Sequence, residues 1–214
     1  MQEPTRIIAI RHGETDWNVQ GRIQGHQDVE LNATGLRQAR RLAQALRRET
    51  VGCIYSSDLQ RALQTAQALA QTTGAPLVTE PRLRERSFGR YEGLRFMQVQ
   101  TEAPEHARRW RERDPHYAPE GGENLSALRQ RIAATVDELA ARHAGEQIVL
   151  VAHGGVMDML YRLATRQHLQ AARTWQLPNA AVNRLLWNPG TGLTLVGWAD
   201  TGHLAADSRD EQHD

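Results

Sequence analysis

Five side chains in this sequence have the chemistry to move a phosphoryl group. Arg11 and His12 stand together just after the apolar run at residues 6–10. Arg61, Glu85 and His153 follow at wide intervals. A guanidinium is a planar fork that matches phosphate oxygens, so Arg11 and Arg61 suit an anion clamp. A neutral imidazole attacks phosphorus without help from a metal, so His12 or His153 can serve as nucleophile. A carboxylic acid at Glu85 can protonate a departing alkoxide. Gly154 and Gly155 follow His153 and open a predicted helix, where free backbone amides favour an anion.

These residues need elements that bring them to one place. Residues 6–10 (RIIAI) form a short Ile-rich run that reads as a buried strand. Leu36, Ala39, Ala43 and Leu46 recur at helical spacing behind Asn32 or Thr34 as a cap. Residues 53–55 form a second strand. Asp58 is expected to cap the helix that carries Leu59, Ala62, Leu63, Ala66 and Leu69, with Gly74 at its end. Residues 77–79 read as a third strand, residues 147–152 (QIVLVA) as a fourth. Between them an amphipathic helix starts at Asn124, carries Leu125, Leu128, Ile132, Val136 and Leu139, and closes at Gly145. A helix with Val156, Leu160 and Leu163 comes next. Residues 182–187 and 193–198 are two further strands joined through Asn188-Pro189-Gly190. The tail after Asp207 is polar and expected to fray.

Strands alternating with helices predict a mainly parallel sheet covered on both faces. In such sheets the binding crevice lies beyond the carboxyl ends of the strands. The groups named above all fall there. Arg11 and His12 follow the first strand, Arg61 opens the helix after the second, Glu85 follows the third and His153 the fourth.

Composition narrows the function classes. The chain has 214 residues, of which 40% are hydrophobic, enough for a core without disulfide or metal support. All 26 basic residues are arginine, which excludes Schiff-base catalysis and a Walker A lysine. Twenty-five acidic residues leave a net charge of +1, so neither nucleic acid nor an anionic membrane surface is an expected partner. The single cysteine, Cys53, forms no intrachain disulfide and no thiolate zinc cluster. The nine histidines lack chelating spacing, so no metal and no cofactor are expected. The N-terminus carries no signal-peptide pattern and no apolar run spans a membrane; a cytoplasmic protein is expected, and a homodimer is compatible with it. Residues 88–122 are rich in Arg, Glu and Pro with weak periodicity. They read as a cap-like insertion into one domain covering residues 1–214.

The ordered motifs resemble the histidine phosphatase superfamily, also called phosphoglycerate mutase-like. They are Arg11-His12-Gly13-Glu14-Thr15 with Trp17-Asn18, then Gly21-Arg22-Ile23-Gln24-Gly25 and Leu31-Asn32-Ala33-Thr34-Gly35. Ser56-Ser57-Asp58-Leu59-Gln60-Arg61-Ala62 with Thr65-Ala66, Leu83-Arg84-Glu85, Gly89, Glu92-Gly93, Gly121-Gly122-Glu123 and His153-Gly154-Gly155 complete the set. The resemblance implies a three-layer α/β/α sandwich with a small cap insertion. It implies that His12 becomes phosphohistidine and that Arg11, Arg61 and His153 clamp the phosphoryl oxygens. Asn18, Gln24 and the Gly154 turn would add contacts to the phosphate, and Glu85 would be the general acid that later activates water. Expected is a metal-independent phosphomonoester hydrolase acting on a small phosphorylated metabolite. A cofactor-dependent phosphoglycerate mutase and a non-catalytic phosphate-binding module are the competing readings. Mutases of the family carry a longer insertion between the acid and the second histidine, which favours hydrolysis here.

Overall fold

The computed structural model describes residues 3–208. The chain runs β1 (Thr5–Arg11), α1 (Asp16–Val19), α2 (Ala33–Leu46), β2 (Cys53–Ser56), α3 (Gln60–Thr73) and β3 (Leu77–Thr79). It continues through α4 (Phe96–Glu102), α5 (Pro104–Arg111), α6 (Leu125–Ala141), β4 (Gln147–Ala152) and α7 (Gly154–Thr165). It ends in the antiparallel pair β5 (Val182–Asn188) and β6 (Gly192–Asp200) and a 3-10 turn, Gly202–Ser208. The polar tail from residue 209 onward lies outside the described residues.

One six-stranded sheet has the order β3-β2-β4-β1-β5-β6. The first four are parallel neighbours; β5 and β6 are antiparallel. Alternation along each strand decides which layer it serves. In β1 and β4, Ile7, Ala9, Ile148, Leu150 and Ala152 pack with α6 and α7 through Leu128, Ile132, Val136, Val156 and Leu160. The intervening Ile8, Ile10, Val149 and Val151 pack with α2 and α3 through Leu42, Leu46, Ala62, Ala66 and Leu69. Both faces are thus covered, which is why β4 reads as unbroken apolar sequence. Leu42 is fully buried on the α2 face. Leu42→Ala is expected to cost about 2–5 kcal/mol of stability. Urea unfolding checks this, and an unchanged midpoint would remove α2 from the core.

The helix caps follow the sequence except at Asp58 and at the end of α6, which stops at Ala141 with Arg142 as its cap, short of the expected Gly145. Asn32 and Asn124 each accept a bond from the amide three residues on. Gly74 ends α3 in the left-handed region with φ +73°, which a side chain would strain. Asp58, expected to cap α3, does not. Its carboxylate is bidentate to Arg84, at 2.7 and 2.5 Å. The amide of Gln60 donates instead to Asp28 Oδ1 at 2.7 Å. The stronger charge-assisted pair with Arg84 outcompetes a local cap, and a distant loop supplies the acceptor.

Candidate active site

Register brings the strand ends level. Arg11 pairs with Ala152 across β1 and β4, and Ser56 pairs with Val151 across β2 and β4. The ladder runs one bond further on each side, from His12 N–H to Ala152 O (2.9 Å) and from Ser57 N–H to Val151 O (3.0 Å). His12, Ser57 and His153 therefore emerge at one height, where the chain leaves the sheet. The His12 and His153 rings lie 5.2 Å apart between centroids.

Both rings are buried, and the bonds they make set their chemistry. His12 Nδ1 lies 2.7 Å from Gly13 O, which only accepts, so Nδ1 carries the proton and Nε2 keeps its lone pair. His153 Nε2 lies 2.8 Å from Ser57 Oγ, and its Nδ1 is buried without a partner. Burial first, then the Arg61 charge, pushes both histidines well below the ordinary imidazole range. Each ring is neutral near pH 7.

The two arginines are gripped from behind. Arg61 is fully buried and donates to Gln27 O and Gly25 O, each at 2.7 Å. Arg11 donates to Leu177 O. The Nε of each is buried without a partner. Neither forms an ion pair among the described residues. Burial pushes the Arg61 guanidinium down to about 10, still charged at neutral pH. Burial lowers Arg11 too, while Glu85 opposes it. Such desolvated, unpaired cations call for an anion.

Glu85 sits opposite. The Gly155 amide lies 3.0 Å from each of its carboxylate oxygens, and the Arg86 amide donates to Oε1 at 2.8 Å. A Cβ on Gly155 would stand 2.2 Å from Oε1, so only glycine admits this approach. The turn expected to present backbone amides to a phosphate thus gives its Gly155 amide to Glu85. Gly154 faces Arg11, with Nε 3.6 Å from where its Cβ would be. The neighbouring arginines do not pair with Glu85. Arg82 pairs with Glu80 and Glu138, and Arg84 pairs with Asp58.

Asn18 and Gln24 join this group through Thr15, whose hydroxyl lies 3.1 Å from Asn18 Oδ1 and from Gln24 Oε1. Asn18 also closes a capping box with Thr15 at the start of α1. The oxygens are turned inward on Thr15, and neither amide nitrogen has a protein partner among the described residues.

Several supporting contacts have no counterpart in the sequence reading. Asn179 donates to His12 O at 2.9 Å and to Asn18 Oδ1 at 3.3 Å. Thr65 accepts from Gly13 N–H at 3.1 Å and donates to Arg61 O at 2.8 Å, which ties the His12 loop to the Arg61 helix. Arg131 pairs with Glu123 and donates to Arg82 O and Arg84 O at 2.6 and 3.0 Å, strapping the segment that ends at Glu85. That pair gives Glu123 its place. His203 lies 3.0 Å from Ala180 O and is part of the scaffold. A cavity of about 380 Å³ opens beside Arg11 and Gly154, walled by Arg86, Trp110, Arg113, Asp158 and Arg173. Among the described residues no cluster of His, Cys, Asp and Glu is set to hold a metal ion, and no helix is long and apolar enough to cross a membrane.

The chain is similar to known proteins. The sequence profile of the histidine phosphatase superfamily (branch 1) matches residues 7–201. The chain is 38% identical over 201 residues to phosphoglycerate mutase-like protein 4 of Arabidopsis thaliana, covering 92% of this chain and 86% of that protein. It is 36% identical over 207 residues to the metal-independent phosphoserine phosphatase of the same plant, covering 95% and 85%. The structure of mycobacterial glucosyl-3-phosphoglycerate phosphatase in complex with VO3 superposes with a TM-score of 0.83 at 33% identity, covering 92% of this chain and 99% of that one.

Proposed function

We propose that this chain, which belongs to the histidine phosphatase superfamily, uses His12 as the nucleophile that hydrolyses small phosphomonoesters. One observation carries the assignment of roles. Arg11 Nε, Arg61 Nε and His153 Nδ1 are buried, polar and without partners, on the three residues that neighbour His12. Phosphoryl oxygens would satisfy all three donors at once.

In the first step the His12 Nε2 lone pair attacks phosphorus while the bond to the leaving oxygen breaks. Glu85, protonated, gives its proton to that oxygen. Arg11, Arg61 and His153 donate to the non-bridging oxygens, where charge collects in the transition state. A phosphoryl oxygen only accepts, so it selects the His153 tautomer with the proton on Nδ1 and Ser57 donating to Nε2. In the second step the Glu85 carboxylate takes a proton from water as the water oxygen attacks phosphorus. The bond to Nε2 breaks and phosphate leaves. Throughout, Gly13 O holds the Nδ1 proton and the ring orientation. The amide groups of Asn18 and Gln24 add donors at the pocket rim. Residues 88–122 act as a cap over the leaving group, supported by Phe88, Trp110 and Arg113 in the wall of the adjoining cavity. Cys53, buried and unpaired, suits a reducing cytoplasm.

The test is steady phosphate release from p-nitrophenyl phosphate. The rate after dialysis against EDTA should stay within about twofold, because fixed cations do the work a metal would do. Vanadate, able to adopt five-coordinate geometry, should inhibit competitively. A rate lost to EDTA and restored by Mg²⁺ would overturn the metal-free mechanism. Interconversion of phosphoglycerates faster than phosphate release, with 2,3-bisphosphoglycerate present, would replace hydrolase by mutase.

A further inference from the structure

The loop that grips Arg61 also reaches the general acid. Arg61 Nη2 and Nη1 donate to Gly25 O and Gln27 O, each at 2.7 Å. His26, the residue between, donates through Nε2–H to Glu85 O at 2.8 Å. Three consecutive residues thus hold the clamp by their carbonyls and the backbone of the acid by one ring. Just beyond them, Asp28 Oδ1 accepts from the Gln60 amide at the start of α3.

What anchors this loop is a half-buried carboxylate bonded to neither Arg61 nor the Glu85 side chain. Glu92 Oε1 accepts from His26 N–H at 3.0 Å, and Oε2 accepts from Gln27 Nε2 at 3.3 Å. The same Oε1 accepts from Ser87 Oγ at 3.4 Å and from Phe88 N–H at 3.0 Å, two and three residues after Glu85. A Cβ on Gly25 would stand 2.1 Å from Oε1, and Gly25 holds φ +51° besides, so a bare Cα must face this carboxylate. The charge of Glu92 acts on the clamp too. Burial lowers the Arg61 guanidinium, and Glu85, Asp28 and Glu92 oppose that shift. All four donors to Glu92 are neutral, and they come from the two segments that carry the clamp and the acid. Catalytic groups keep a productive geometry only when such outer bonds lock them.

We infer that Glu92 is a positioning residue of this phosphatase. Its carboxylate locks the 25–27 loop to the 85–88 segment, and so fixes the Arg61 clamp and the Glu85 acid relative to one another. His26 is the arm of the lock that reaches Glu85. This inference rests on the hydrolase reading above.

Two substrates read the two ends of the lock. Arg61 serves both p-nitrophenyl phosphate and ethyl phosphate, whereas Glu85 matters chiefly for ethyl phosphate, whose alkoxide is strongly basic. Glu92→Ala should lower kcat/KM about tenfold on p-nitrophenyl phosphate and about 10²-fold on ethyl phosphate, as misplacements of about 1 Å do. Vanadate inhibition should weaken with the clamp. The ratio between the substrates does not depend on the folded fraction, so mere loss of structure leaves it unmoved. Adding Glu92→Ala to Glu85→Gln should leave that ratio where Glu85→Gln alone sets it, because the acid is already gone. Glu92→Gln, which keeps Oε1 as an acceptor, should recover most of both losses. His26→Ala, at an exposed position, should lower the ethyl phosphate value about three- to tenfold and the p-nitrophenyl phosphate value much less. It carries the test if Glu92→Ala does not fold. Equal losses on the two substrates in either alanine variant, or no loss, would overturn the inference and leave the hydrolase intact. Phosphate release from neither substrate by the wild-type enzyme would overturn both.

Discussion

His12→Ala should lose about 10⁴-fold or more in kcat, because the variant has no atom to accept the phosphoryl group. His153→Ala should leave a measurable rate, lower by about 10²–10³-fold, the usual cost of one preorganised donor to a transition-state oxygen. Rapid quench with labelled substrate should trap acid-labile, base-stable label on the peptide that contains His12. The assignment depends on one geometric fact. Gly13 O fixes the proton on Nδ1, so Nε2 is the atom left to react. Label on Ser56 or Ser57, both buried close to His153, or a fully active alanine variant, would transfer the role elsewhere.

Glu85→Gln should divide substrates by leaving group. An alkyl phosphate leaves as a strongly basic alkoxide and should lose about 10²–10⁴-fold, the ordinary worth of a positioned acid. p-Nitrophenyl phosphate expels a stable phenolate and should lose much less in the phosphorylation step. Equal losses on both, with phosphorylation limiting, would remove Glu85 as the acid. The pH profile follows from the same pair. Attack requires neutral His12, and protonation of the leaving group requires Glu85 to hold a proton. In water these demands conflict, since imidazole gains its proton near 6.5. Burial and two guanidinium groups lower the His12 value well below that, so His12 stays able to attack in acid where a free imidazole would not. The rate on an alkyl phosphate should therefore show no loss from His12 protonation as pH falls through 6.5. A break at 6.5 assigned to His12 would contradict its burial.

The same neutrality bears on stability. The unfolded chain binds protons at His12 and His153 as pH falls through the ordinary imidazole range, and the native state does not. The unfolded state then binds more protons, so stability is lost as pH drops.

Strands and helices were legible because burial on both faces leaves a plain mark. β3 and β4 have the bounds that their apolar residues suggest, β1 and β2 differ by a residue or two, and α6 stops at Ala141, short of the expected Gly145. The residues at strand ends were legible because parallel topology puts all those ends on one rim. What could not be read was everything decided by loops meeting across space. Asp58 looked like a cap by its position, and only the fold shows Arg84 within reach. Asn179, Thr65 and Arg131 make their bonds to backbone atoms distant in sequence, and no local pattern announces such partners. Glu92 falls in a stretch of weak periodicity, and its bonds to the 25–27 loop show only in the fold. The resemblance to a family covered the reacting centre and gave this anchor no role.

The central pair of the sheet joins strands far apart in the sequence. Arg6 lies opposite Gln147, and Arg11 opposite Ala152. On a ribosome the nucleophile is made long before its neighbour strand β4 emerges. Until then His12 has neither the Ala152 carbonyl to hold its amide nor His153 beside its ring. A chain truncated before β4 should therefore form no phosphohistidine, however well its first helices pack. Contacts so distant in sequence also close slowly. Recovery of activity on refolding should report the last step of assembly rather than the first collapse.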